Sequence, residues 1–254
     1  MKLGNVLYEK KERIAILTLD DQAKLNALSP GIRQGLMEGF EEVEKDNDVK
    51  VAIVTGAGKT FCAGADISGF SFDAVDIKNF LDDVFPALTI GENTSKPVIA
   101  AVNGLALGGG LELAIGCDII IASEKAKFGV PEINLGLLPG FAIVRLHQII
   151  GRSKSKEMSM TGEPISAEEA FRLNMVSKVV PHEKLMDEAM AMARKIGEKP
   201  AMALRLAKSS INRKLGGEEI VYARDSMPFL FATEDTREGV TAFLEKRKPV
   251  FKDR

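Results

Sequence analysis

Residues 97–122 carry the pattern that most constrains the fold. Pro97-Val-Ile-Ala-Ala-Val102 is a short, wholly apolar run. Asn103-Gly-Leu-Ala-Leu-Gly-Gly-Gly-Leu-Glu112 follows it, and Asp118-Ile-Ile-Ile-Ala122 is apolar again. Such runs suit strands buried on both faces, and the stretch opening near Gly109 suits a helix. Strand–helix–strand on this scale implies parallel strands with helical crossovers. The alternation recurs upstream, where residues 13–19 and 51–55 read as strands. Ser29-Pro30 reads as an N-cap with proline at the first helical position. The helix it opens, to about Lys45, carries Ile32, Leu36, Phe40 and Val43 at helical spacing. A further helix is expected within 74–90, burying Val75, Phe80, Leu81 and Val84.

From Pro139 the pattern changes. Ser166-Ala-Glu-Glu169 fits a capping box, and residues 176–180 fit one last short strand. After Pro181 the chain reads as helix, with breaks near 199–200, 216–217 and 233–234. The expected division is an α/β core over 1–195 and a helical region over 196–254. No strong internal sequence repeat is visible.

Bulk properties remove several classes of function. The 254 residues are 45% hydrophobic, enough for a full core, and the net charge of −2 gives no reason to expect nucleic-acid binding. Tryptophan is absent and only two tyrosines occur, which argues against a base-stacking surface. No apolar run is long enough to span a bilayer, and the first residues lead straight into a strand pattern without a signal peptide. Cys62 and Cys117 are the only cysteines and are read as free buried thiols in a reducing compartment. The expectation is a soluble cytoplasmic protein.

The familiar catalytic motifs are missing. Gly56-Ala-Gly-Lys-Thr60 resembles the tail of a phosphate-binding loop, but Ile53 stands where its first glycine is required. There is no dinucleotide fingerprint and no serine-hydrolase elbow. His147 and His182 are the only histidines and sit in no metal-ligand cluster, so no metal is expected. What remains is the glycine triplet at residues 108–110 with two carboxylates, Glu112 and Glu132. Adjacent glycines admit a ligand close to the backbone, and the free N–H groups of a helix start favour negative charge. Glu112 lies among apolar neighbours, where a carboxylate is expensive unless used or paired. Glu132, taken alone, could be an ordinary surface charge. Together these features suit an enzyme that works beside an activated carbonyl.

At this point the residues resemble a family. Gly56-x-Gly-x-x-Phe-Cys-Ala-Gly-Ala-Asp-Ile67 and Pro97-Val-Ile-Ala-Ala-Val-Asn-Gly-x-Ala-x-Gly-Gly-Gly-x-Glu-Leu113 are similar to the crotonase (enoyl-CoA hydratase/isomerase) superfamily. Cys117-Asp-Ile, Phe128-Gly-x-Pro-Glu-Ile-x-Leu-Gly136 and Thr161-Gly-x-x-Ile-Ser-Ala-x-x-Ala170 continue the match, as does Glu234-Asp-x-x-Glu-Gly-x-x-Ala-Phe-x-Glu-Lys-Arg-x-Pro-x-Phe251. The resemblance implies a spiral of repeated β-β-α units with a helical C-terminal region, assembled as trimers or as hexamers of paired trimers. It implies acyl-CoA thioester substrates and no separate cofactor, coenzyme A being part of the substrate. It assigns the backbone N–H groups of Ala65 and Gly109 to the thioester oxygen, Glu112 and Glu132 to acid/base chemistry, and the Gly140 N–H to water. For the CoA portion it suggests Lys59, Ala63, Asp66 and Ile67, with Phe243 and Lys246 closing over the nucleotide, from a neighbouring subunit in one arrangement.

Two glutamates at these positions fit a 2-enoyl-CoA hydratase. The alternatives are an enoyl-CoA isomerase, a hydratase for a branched, cyclic or conjugated acyl group, an acyl-CoA hydrolase, or an inactive CoA-binding protein. This chain departs from the pattern in two places. Asp20-Asp-Gln-Ala-Lys-Leu-Asn26 replaces a common Arg-Pro approach to Asn-Ala-Leu, which leaves any CoA contact from Lys24 open. Phe141 and Ile143 replace glycines after Pro139-Gly140 and are expected to alter the acyl pocket. Phe70 and Phe72 could line that pocket or belong to the core.

Overall fold

The structure, a computed structural model, describes residues 1–66, 74–212 and 233–252. Strands β1 (Lys2–Leu3), β2 (Val6–Lys11) and β3 (Ile14–Leu19) form an antiparallel start. Strand β4 (Val51–Gly56) then pairs parallel to β3, β6 (Val98–Val102) to β4, β8 (Ile119–Ser123) to β6, and β11 (Lys178–Val180) to β8. A second sheet sets β5 (Thr60–Cys62), β7 (Leu105–Leu107) and β9 (Lys127–Gly129) parallel, with β10 (Ile165–Ser166) antiparallel at its edge.

Each turn of the chain gives one strand to the first sheet, the next to the second, and then a helix. Strands β4 and β5 precede α2 (Ala74–Asn93), and β6 and β7 precede α3 (Gly109–Ile115). Strands β8 and β9 lead through a short 3₁₀ turn (Pro131–Leu135) to α4 (Ala142–Ile150) and α5 (Arg152–Thr161). This is the β-β-α spiral that the resemblance implies. It repeats in geometry rather than in residues.

The first sheet explains the unbroken apolar runs. Ala15, Leu17, Ala52, Val54, Val98 and Ala100 face the main core with helix α1 (Pro30–Lys45) and the second sheet. Alternate residues Ile14, Ile16, Val51, Ile53, Ile99 and Ile121 face helix α7 (Leu185–Gly197), which presents Leu185, Ala189 and Ala193. With both faces covered, no strand position is left for a polar alternation.

Most expected elements form. Ile32, Leu36, Phe40 and Val43 are buried along α1. Ser29 does precede α1, but its hydroxyl turns to Asp21 at 3.3 Å instead of capping the helix. Ser166 does cap, accepting the Glu169 N–H at the start of α6 (Ala167–Arg172). Helix α8 (Ala201–Asn212) and helix α9 (Glu234–Leu244) follow, and the expected break at 216–217 lies outside the described residues. One expectation fails on α2. Val84 is buried, but Val75 and Leu81 are exposed. Apolar residues occur on more than one side of this helix, and the side that meets the core is Val84, Ala87 and Leu88.

Candidate active site

The three parallel strands of the second sheet end side by side. Register pairs Cys62 with Ala106 and Leu107 with Gly129. The residues just beyond these ends are Ala63 to Ala65, Gly108 to Gly110, and Pro131-Glu132. Residues far apart in sequence therefore meet at the carboxyl edge of one small sheet, the usual place for a ligand in parallel structure.

The glycine run is required by contacts on all sides. Gly108 has φ +53° and ψ −125°, a conformation for which a side chain is strained. A Cβ there would also stand 2.8 Å from Glu132 Oε1. Gly110 packs so closely on the Cys62 carbonyl that any Cβ would overlap it. Gly109 sits across from Ala65, whose N lies 3.6 Å from the place of a Gly109 Cβ. Neither the Ala65 nor the Gly109 N–H finds an acceptor among the described residues. Two such donors side by side can bind one oxyanion.

Glu112 comes one turn into α3 and is only 3% exposed. Its Oε1 accepts the Ala142 N–H at 2.8 Å, with the Gly140 and Phe141 N–H groups also turned toward the carboxylate. Burial raises its pKa to about 7, the N–H donors oppose that rise, and the nearby Glu132 adds to it. Glu132 also has a raised pKa, chiefly from burial. Its Oε2 is buried and has no hydrogen-bond partner among the described residues. Burial favours the protonated form of each carboxylate, and the N–H groups at the start of α4 act against this at Glu112.

The loop that supports Ala65 was less legible. Leu28 N–H donates to the Gly64 carbonyl at 2.8 Å, and Ala63 N–H donates to the Leu25 carbonyl. Asn26 locks this loop and is fully buried. Its Oδ1 accepts from Asp21 N–H, and its Nδ2 donates to the Ala57 and Thr60 carbonyls. The only sequence signal was an asparagine inside Leu25-Asn-Ala-Leu28. Phe85 of α2, against Gly140 in the acid/base corner, had no signal of its own.

The remaining expected residues divide. Lys59 is exposed in the turn between β4 and β5, which opens no helix, in keeping with the rejected phosphate-loop motif. Asp66 pairs with Lys24 at 2.6 Å. Ile67, Phe70 and Phe72 lie outside the described residues, as does the side chain of Phe243 on α9. Lys246 is exposed beyond α9. The nearby tail residues Lys248, Pro249 and Phe251 line a cavity of about 390 Å³ with Glu12, Arg13 and Arg194, away from the strand ends that carry Ala65, Gly109 and Glu132. Phe141 is buried in the core beside α4, whereas Ile143 is exposed on the outer side of that helix. Cys62 and Cys117 are free and buried, and burial raises each thiol to about 12. Among the described residues no cluster could hold a metal ion, and no helix is long and apolar enough to cross a membrane.

The enoyl-CoA hydratase/isomerase family pattern matches residues 9–254. A probable enoyl-CoA hydratase of Mycobacterium bovis is 41% identical over the full length of both chains. A short-chain-enoyl-CoA hydratase of Clostridium acetobutylicum is 40% identical, covering 98% of this chain and 97% of its own. Among solved structures, an enoyl-CoA hydratase subunit of Geobacillus kaustophilus superposes with a TM-score of 0.93 at 38% identity, covering all of both chains. With likeness running the length of the sequence and the strand ends assembling paired carboxylates beside free backbone donors, the chain belongs to the enoyl-CoA hydratase/isomerase family.

Proposed function

We propose that the chain is a 2-enoyl-CoA hydratase, adding water syn across the 2,3 double bond to give a 3-hydroxyacyl-CoA. The observation that carries this reading is the asymmetry of the two carboxylates. Glu112 is held by the Ala142 N–H, and Glu132 keeps a buried oxygen without a partner among the described residues. Ionised Glu112 takes a proton from water as its oxygen bonds to the β-carbon. Protonated Glu132 delivers a proton to the α-carbon. The pair starts with one proton on Glu132 and ends with one on Glu112. Between these events the thioester oxygen gains enolate character, and the Ala65 and Gly109 N–H groups bind that charge better than the ground-state carbonyl. The Gly140 N–H helps to hold the water.

The CoA portion is assigned to Lys59, Ala63, Asp66 and Ile67, with Phe243 and Lys246 closing over the nucleotide. A trimer or paired-trimer assembly is supported by the exposed apolar residues Leu135, Leu137, Leu138 and Val144 beside the site. A reducing, cytoplasmic setting is supported by two free buried thiols. Purified protein with crotonyl-CoA tests the reaction, through loss of the conjugated thioester absorbance and product mass. Gain of one water without CoA release is expected. An unchanged mass with a moved double bond would replace hydration by isomerisation, and free CoA would replace it by hydrolysis.

A further inference from the structure

Glu112 receives its N–H donor from the first residue of α4, so the placement of that helix decides the hydrogen bond. Packing holds one side of α4 on the core. Ala142, Leu146 and Ile150 are buried there with Ile149 packed beside them, while Ile143 and Val144 are exposed. A second constraint comes from Arg145. Its Nε and Nη2 donate to the two oxygens of Glu92 near the end of α2, its Nη1 donates to Gln148 at 3.0 Å, and its guanidinium lies 5.8 Å from the Phe141 ring centre. Two parallel N–H bonds to one carboxylate fix orientation as well as distance.

The far end of this pair is itself anchored. Asn212 of α8 donates to the Glu92 carbonyl, and Lys208 of α8 donates to the neighbouring Gly91 carbonyl at 2.6 Å. Lys208 also pairs with Asp118 at the start of β8. Among the described residues, the groups that act on the Glu112 carboxylate are Glu132 from the 3₁₀ turn and the Gly140, Phe141 and Ala142 N–H groups from the α4 start. Arg145 bonds to Glu92 and not to Glu112, and the link between them runs through the α4 backbone that carries the Ala142 N–H.

We propose that the Arg145–Glu92 pair is a strut that holds the α4 N–H groups on Glu112, making Arg145 a positioning residue for the acid/base step. The proposal rests on the reading that Glu112 performs proton chemistry. Loosening the strut draws the donors away from the carboxylate, and its ionised form becomes harder to reach.

The test is crotonyl-CoA hydration against pH for Arg145→Met, Arg145→Lys and Glu92→Gln, with Glu112→Gln in parallel and melting curves for each. Arg145→Met and Glu92→Gln are each expected to lower kcat about 10- to 100-fold, as misplacement of catalytic groups does. KM should stay within about twofold, since substrate binding is not touched. Both should move the rising acid limb to higher pH, and Arg145→Lys, which keeps the charge without the fork, should recover part of the loss. A direct charge effect predicts opposite limb shifts in the two variants, because one removes a cation and the other an anion. Opposite shifts, or lower melting temperatures with kcat and the limb unchanged, overturn the proposal. If Arg145→Met does not fold, Glu92→Gln, which keeps its volume, decides by the same two readouts. Wild-type hydration by Glu112→Gln would instead remove the underlying acid/base reading.

Discussion

Replacing Gly108 by alanine tests the geometry of the site at its tightest point. The backbone there, at φ +53° and ψ −125°, is one that an alanine adopts only with strain on the order of 1–3 kcal/mol. At roughly 2–4 °C per kcal/mol for a chain of this size, melting should fall by about 2–12 °C. The new Cβ would also stand 2.8 Å from Glu132 Oε1, where ordinary contacts begin at 3.4 Å. The carboxylate must then retreat by about half an ångström. A misplacement of about 1 Å costs on the order of 100-fold, so kcat should drop about tenfold. Gly136→Ala is the control. Gly136 is also left-handed, at φ +71°, but no atom lies within 4 Å of its Cβ position. That variant should lose about 1 kcal/mol and keep its kcat. Steady-state hydration of crotonyl-CoA with thermal unfolding of both variants decides the matter. If Gly108→Ala slows turnover no more than Gly136→Ala does, Glu132 is not held against the glycine run as described.

Three further outcomes are expected. Burial raises folded Glu112 from 4.5 to about 7, so between those values the folded chain keeps a proton that the unfolded chain loses, and stability falls as pH rises. Glu112→Gln should therefore be more stable than wild type by up to roughly 3 kcal/mol at pH 8, with the gain fading near pH 4.5, while hydration falls about 10²–10⁴-fold. Urea unfolding at both pH values reads the first effect, and no difference between them would refute it. Asn26→Ala removes three hydrogen bonds around a buried amide and should cost about 2–4 kcal/mol, with a raised KM because the loop under Ala63 to Ala65 loosens. Finally, Cys62 and Cys117, buried with pKa near 12, should resist a thiol reagent in the native state and both react on unfolding.

How much was legible depended on the range of the interaction. The strands of the first sheet were visible because both faces are covered, which leaves runs such as Val98–Val102 wholly apolar. The strands of the second sheet were not, since three residues such as Leu105–Leu107 carry too little periodicity to register. Helix α2 was found, but its buried side was misjudged at Val75 and Leu81, because only the neighbouring helix decides which of several apolar sides is covered.

The same division holds for the site. The sequence by itself determined the chemistry available, namely a glycine triplet that admits a ligand close to the backbone and a glutamate placed among apolar residues. Taken alone, Glu132 read as an ordinary surface charge and only the family resemblance marked it, while nothing singled out Asn26 or Arg145. Those roles arise only where β5, β7 and β9 end in register and where α4 meets α3 and α2. Local composition fixes what a segment can become. Which carboxylate is buried, which N–H is left unpaired, and which oxygen lacks a partner are set by contacts between segments far apart in the chain.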